Sequence, residues 1–320
     1  MNWKINTLVL AVLCSTQAFG DVSDQPFHTA NRSPFVQIHG VPASQSADIL
    51  SGNASEIQFS TEAASYFTLD SKQEENLFLD GEGYRVEWSG RFAVADGLEA
   101  GVVLPYLIFD GGSLDGFIDN WHDTFGLPDG GREDYAKDKL LLRYSDGGKT
   151  RVNVTDREDG LGDVQLHVGY ALAEGWALRT MVKLPTGDAD KLTGSDGTDV
   201  SLALHYSSAP ASTWRVHASA GALWMEQGDV IAARQEEWAA FASLAVVYRA
   251  TDTIALKAQV DGHSALYNSH LKQLGSSTQL VLGGSWRFNQ KAALEFYVSE
   301  DIDTETAPDV VFNLGVRTLL

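Results

Sequence analysis

The chain has 320 residues, 44% hydrophobic and 21% charged, with a formal net charge of −20 and one cysteine. That acidity excludes a nucleic-acid binder, which needs a basic footprint, and the lone Cys14 excludes a disulfide-stapled domain. No apolar run after the N-terminus approaches about 18 residues, so no helical membrane span is expected.

Met1-Asn-Trp-Lys4, the apolar run over 5–13 and Ala18-Phe19-Gly20 read as a cleaved secretory signal peptide over residues 1–20. Residues 21–54 carry Pro26, Pro34 and Pro42 with little strand pattern, and read as an irregular leader and candidate plug. From Ser55 to Leu320 the period-two alternation predicts about twelve strands. They fall near 55–68, 83–95, 98–109, 161–172, 175–185, 198–208, 213–226, 236–249, 253–267, 276–288, 291–301 and 308–320. In Trp214-Arg-Val-His-Ala-Ser-Ala-Gly-Ala-Leu-Trp224 every second residue is apolar and tryptophans close both ends. At about 3.3 Å per residue and a tilt of roughly 40°, such a strand spans the apolar band of an outer-membrane barrel, about 25 Å. Trp214, Trp224, Trp238 and Tyr248 then form an aromatic girdle at the two interfaces.

The connections carry a second signal. Short turns (96–97, 173–175, 209–212, 251–252, 289–290) alternate with longer links (69–82, 110–160, 186–197, 227–235, 268–275, 302–307). Short periplasmic turns and long extracellular loops are the habit of outer-membrane barrels, so both ends of the barrel segment fall on the periplasmic side and the strand number is even. The expected fold is therefore all-β, a transmembrane antiparallel β-barrel of about 12 strands. Its last strand reaches Leu320 and resembles the signal read by the barrel-assembly machinery, with leucine where an aromatic is usual. In the long extracellular loop 110–160, Leu114, Phe117, Ile118, Trp121 and Phe125 recur at helical spacing, which predicts a short helix that, with His122, narrows the mouth or covers it as a lid, the alternative being a helix resting on the outer leaflet.

If the apolar positions face lipid, the alternate ones face the lumen. They include Glu62, Arg85, Glu87, Arg91, Glu99, His167, Arg179, Lys183, Asp199, His205, Arg215, His217, Lys257, Gln259, Asp261, His263, Arg287, Glu295, Asn313 and Arg317. These either line water and set ion preference or pair with one another across a filled interior. Catalysis has little support: His263 and Ser264 point to opposite faces of one strand, and His205 and Ser207 share a face without an assignable acid. Asp156-Arg-Glu-Asp-Gly-Leu-Gly-Asp163 lacks a calcium-loop pattern, and no histidine spacing points to zinc. No cofactor and no metal are expected.

Asn31-Arg-Ser-Pro-Phe35, Gly40-Val-Pro42, Leu114 through Arg132, Gly160-Leu-Gly-Asp163 and Val182-Lys-Leu-Pro-Thr-Gly-Asp188 occur in this order. Together they resemble the proteobacterial domain-of-unknown-function 3187 family of outer-membrane β-barrels. The pair Gly-Leu-Gly-Asp and Pro-Thr-Gly-Asp is also similar to the barrel family named for meta-pathway phenol degradation. The resemblance implies location and fold; the second label implies aromatic uptake by association, and no catalytic residue carries over.

The leading expectation is an outer-membrane barrel acting as a passive channel for small solutes, hydrophobic or aromatic ones among them. The alternative is a closed structural or adhesive barrel working through acidic outer loops, and behind it a lipid-modifying enzyme using His205, His217 or His263. Expected partners are outer-membrane lipid and lipopolysaccharide, the barrel-assembly machinery during biogenesis and a small-molecule solute, with no nucleic acid; the chain is expected to act as a monomer.

Overall fold

Alternation of burial along the strands dictates the architecture. In the computed structural model, which describes residues 21–112, 138–210, 213–302 and 306–320, the segment Asp199–Ser207 buries Asp199, Ser201, Ala203, His205 and Ser207 and exposes Val200, Leu202 and Leu204. A strand with a polar inner face and an apolar outer one is inverted relative to a soluble sheet. The ring that such strands form turns its apolar side chains outward, as lipid requires.

The strands are β1 (Ser55–Lys72), β2 (Glu75–Ala95), β3 (Leu98–Asp110), β4 (Leu141–Asp146), β5 (Lys149–Val154), β6 (Glu158–Leu161), β7 (Val164–Ala173) and β8 (Trp176–Leu184). They continue with β9 (Asp199–Ser207), β10 (Trp214–Met225), β11 (Trp238–Arg249), β12 (Ile254–His263), β13 (Ser277–Arg287), β14 (Ala292–Asp301) and β15 (Val310–Leu319). Setting β4, β5 and β6 aside, the remaining twelve pair antiparallel with their sequence neighbours, and β15 closes on β1 from Glu56↔Leu319 to Ser65↔Val310. Closure leaves the ring no free edge, so its backbone donors and acceptors are answered within the sheet. Phe59, Leu202, Trp214, Trp238, Leu244, Leu256, Trp286 and Phe296 are among the large apolar side chains exposed on the outside. Among the described residues helix is limited to two single 3-10 turns, Val22–Asp24 and Lys272–Leu274.

Three expectations change. The link 69–82 is not a loop, because β1 and β2 run on to Lys72 and Glu75 and pair along their whole length. They rise beyond their neighbours, and β4 adds to the upper part of β2 from Glu75↔Asp146 to Asp80↔Leu141. Within the link 110–160, residues 141–146, 149–154 and 158–161 are strand rather than irregular loop, since the β4–β5 hairpin and β6 extend the sheet above the ring. The proposed mouth residues Phe117, Ile118, Trp121, His122 and Phe125, like the signal segment 1–20, lie outside the described residues. The inner face also changes character with height. Below it is polar, but toward the loop end Leu77, Leu79, Phe109, Tyr144, Leu223 and Met225 point inward into one buried apolar cluster.

The two glycine-aspartate motifs turn out to be one knot. Opposite Pro105 the β3 pairing shifts by a residue between β6 and β7, and Gly162 N donates to Pro105 O at 2.8 Å. Asp163, turned inward there, accepts from Thr186 N (3.0 Å), Gly187 N (2.8 Å) and Ser195 N (3.1 Å) and takes the Lys183 ammonium at 2.6 Å. Removing that carboxylate strands a cation that is 1% exposed. Asp163→Ala should therefore destabilise the barrel by about 3 kcal/mol, the low end of the ~3–5 kcal/mol for breaking a buried pair, because Asp199 Oδ2 remains 3.5 Å from Lys183 Nζ. Urea unfolding followed by tryptophan fluorescence reads this; an unchanged midpoint would remove the knot from the account of stability.

Candidate functional site

Residues 21–50 lie inside the ring, residues 51–53 being exposed where the chain turns into β1, and the side chains that the leader meets are those that the strands turn inward. The leader forms an irregular hairpin. One arm rises from the turn end, an apex passes beneath the loops at residues 33–40, and a second arm descends to β1. Its prolines and scattered polar groups deny it a ladder, so the wall answers its backbone instead.

On the rising arm, Asp21 pairs with Arg287 and Asp24 with Arg249. The Gln259 amide brackets Phe27, accepting from its N–H (2.9 Å) and donating to its carbonyl (3.1 Å), while the Phe27 ring packs on Tyr297 at 4.8 Å. Arg32 meets Glu62 at 2.6 Å. At the apex, Phe35, Val36 and Ile38 enter the apolar cluster. The Tyr267 hydroxyl donates to Phe35 O at 2.9 Å and therefore accepts from His39 Nε2 at 2.8 Å. Gly40 N donates to Asp199 Oδ2 at 2.6 Å, and a Cβ there would stand 2.9 Å from both Asp199 Cβ and Met181 Cε, so glycine alone permits this approach.

The descending arm is held mainly by cations. Arg179 donates to Ser46 O and Asp48 O at 3.0 and 3.1 Å, and Arg215 grips both Asp48 oxygens at 2.7 and 2.8 Å. His205 Nδ1 donates to Gln45 O at 3.0 Å, and Leu50 N donates to Glu99 Oε2 at 2.8 Å.

The inward residues named from alternation thus fall into two kinds. Glu62, Glu99, Arg179, Asp199, His205, Arg215, His217, Gln259, His263 and Arg287 touch the leader directly; His263 Nε2 accepts from Asn31 Nδ2 at 3.1 Å, since its Nδ1 must donate to Ser264 O. Others neutralise one another: Arg91 and Arg317 flank Glu56 at 3.1 and 3.2 Å, while Lys257 and Arg317 share Glu295 at 2.6 and 3.2 Å. Arg85 pairs with Glu87 at 2.5 Å, His167 is buried on β7, and Asp261 accepts from Gln259 at 2.7 Å. Lys183 stands apart in the Asp163 knot. The alternation did not reveal Glu56 or the leader's Asp24, Arg32, His39 and Asp48; unmatched charges in a proline-rich leader were the available signal. Of the aromatic residues, Trp214 and Tyr248 stack at the turn end with centroids 4.5 Å apart, and Trp224 faces Trp238 at the loop end.

Ser207 does find a histidine, across the strand: its Oγ lies 2.7 Å from His217 Nδ1. His217 Nε2 donates to the backbone carbonyl of Asp24 (2.8 Å) rather than to a carboxylate, and Ser207 Oγ accepts from Ala47 N (2.8 Å). Both side chains are buried beneath the leader. The pair joins the two arms to the wall and lacks the acid and the access that acyl transfer needs.

Three leader groups, His28, His39 and Asp48, make the seat acid-sensitive, burial lowering His28 from its ordinary 6.5. Burial, helped by the Lys183 charge, pushes His39 down to about 3 from 6.5, so the seated ring is neutral. A displaced leader would bind that proton, so its seating weakens as pH falls from 6.5 toward 3. Burial opposes the Asp48 charge, but the Arg215 guanidinium outweighs it and holds the carboxyl below its ordinary 3.8, adding a further loss below about pH 4. Protease cleavage within 21–54 should accelerate on acidification from pH 7 to pH 4, with His39→Asn, which leaves His28 in place, reducing the acceleration over the upper part of the profile. A rate independent of pH would contradict this account.

Residues 3–319 match the model of the family described as protein of unknown function (DUF3187). No curated protein matches the chain. Among solved structures, an outer membrane channel from Pseudomonas putida F1 superposes with a TM-score of 0.54 at 13% identity, covering 86% of this chain and 98% of its own. The CymD monoaromatic hydrocarbon channel (TM-score 0.43, 11% identity, 95% and 99% covered) and the NanC porin (0.45, 10%, 82% and 98%) are more distant. At these identities the likeness is one of fold: the barrel matches outer-membrane proteins, and these neighbours are channels and porins. Matched by the family model over nearly its whole length, the chain belongs to the DUF3187 family.

Proposed function

We propose that the protein is an outer-membrane channel for small solutes whose resting state is closed by its own leader. The observation that carries this reading is the leader's double pass through the lumen, held by side-chain contacts rather than by strand pairing. Such contacts can be exchanged for water one by one, whereas a thirteenth strand could not leave without opening the ring. Two cavities beside the leader, among the described residues, hold about 30 and 20 Å3, room for roughly two water molecules or fewer in each, so passage at either requires the leader to shift. The Pseudomonas channel named above lends the fold as precedent. Aromatic cargo has the loop-end cluster around Phe35, Tyr66, Phe109 and Tyr144 in its favour.

A permanently closed structural barrel is the second reading, favoured by how completely the apex is packed and the descending arm is hydrogen-bonded. One experiment separates the two. Ser44 Oγ on the leader lies 2.9 Å from Ser243 Oγ on β11, close to the span of a disulfide, and no native cysteine competes after Cys14. The wild-type protein and a loosened variant, Asp48→Asn, should show stepwise conductance in planar bilayers, higher in the variant. Ser44→Cys with Ser243→Cys should lose conductance when oxidised and regain it with a thiol reductant. Silence from wild type and loosened variant alike would sink the channel and leave the closed barrel standing.

A further inference from the structure

The leader seals unevenly against the wall. On the β12–β14 side the Gln259 amide closes on both backbone groups of Phe27, the Phe27 ring covers Tyr297, and Ser285 Oγ donates to Ser23 O at 2.7 Å. On the side of β1, β2, β3 and β7 a cavity of about 30 Å3 remains between both arms and the wall, bordered by Ser89 and Gly101, which offer little or no side chain. Four residues lining it each carry a buried polar atom with no hydrogen-bond partner in the protein: Gln45 Oε1, Glu56 Oε2, Arg91 Nη2 and His167 Nε2. A buried polar atom left unpaired has given up its water for nothing, so four around one hollow mark it as a place meant to be filled.

Charge decides what fills it. Glu56 already has Arg91 at 3.1 Å and Arg317 at 3.2 Å, and Arg317 continues to Glu295. Each of these charges thus has an opposite charge beside it, Arg91 having Glu99 as well at 3.2 Å, even though Glu56 Oε2 and Arg91 Nη2 keep unused hydrogen-bonding capacity, and burial holds the leader's His28 below its usual pKa. A guest is offered donor and acceptor atoms but no charge without an opposite partner, which an ion would need to offset its desolvation.

We propose that this cavity is a subsite for small uncharged hydrogen-bonding molecules, occupied by water at rest, and that solute first passes the leader here. The proposal rests on the channel reading and narrows its cargo to neutral polar solutes at this level. The second cavity, of about 20 Å3, lies against Ser219, Ser243 and Asp261 on the far face of the hairpin and supplies the comparison.

The test uses the full-length protein with one added cysteine, Ser89→Cys beside the first cavity or Ser219→Cys beside the second. The probes are iodoacetamide, itself a small neutral amide, and the anionic iodoacetate. Each rate is divided by that of the same cysteine in denaturant-unfolded protein, which removes intrinsic reactivity. Iodoacetamide should modify Ser89→Cys at least tenfold faster than Ser219→Cys, and at least tenfold faster than iodoacetate does. Equal rates at the two positions, or a faster Ser219→Cys, would overturn the route; iodoacetate matching iodoacetamide would overturn the neutral selectivity. Gln58→Cys, which lines the same cavity, replaces Ser89→Cys if heat-modifiable gel mobility shows misfolding. Channel failure reads out separately, as silence in the bilayer recordings, whichever labelling pattern is found.

Discussion

A ring of twelve strands that turns its apolar residues to lipid must turn its polar ones inward, and buried charge is tolerated only when it is paired. Everything else in this structure follows from that constraint. Some inward charges answer each other, as in the chain Arg91–Glu56–Arg317–Glu295–Lys257. The remainder need partners that the wall does not supply. The leader brings Asp21, Asp24, Arg32 and Asp48 into the lumen, together with backbone carbonyls for Arg179 and His205.

This arrangement explains why the leader is irregular yet ordered. A regular element would spend its hydrogen bonds on itself, whereas an extended, proline-interrupted chain presents them to the wall. Fixing is strongest at two heights. Near the turn end it is electrostatic, through Arg215, Arg179 and Arg249; at the loop end it is apolar, through Phe35 and Ile38, with Gly40 allowing close contact with Asp199. The two respond to acid over different ranges: the apex loses the contribution of His39 as pH falls from 6.5, and the arms lose that of Asp48 only below about pH 4.

Inward orientation was readable wherever the alternation was strict, because a period of two assigns every residue to one face or the other. Arg215 and His217 on β10 or Lys257 on β12 needed no more than that. Alternation says nothing about pairing across space, and so the leader's roles for Asp48 and His39 were invisible, as was the contact between Ser207 and His217. The pattern also misjudged the link 69–82: its residues continue the strands, but Asp70, Asp80 and Gly81 read as loop because they rise above the expected apolar band. The knot at Asp163 lay between these cases. Its two motifs stood out in the sequence, yet only the folded chain shows one supplying the carboxylate and the other the backbone N–H groups that it caps.

By itself, the sequence determined the class of fold, the number of staves, their inside and outside, and the family. All of these depend on local periodicity, and the last on the order of short motifs. The tertiary structure decided whether the lumen is occupied, by what, and on which side the occupant fits loosely. Those outcomes depend on complementarity between segments far apart in the chain, such as Asp48 with Arg215 and Phe27 with Gln259. No periodicity encodes them, because the partners meet only once the ring has closed.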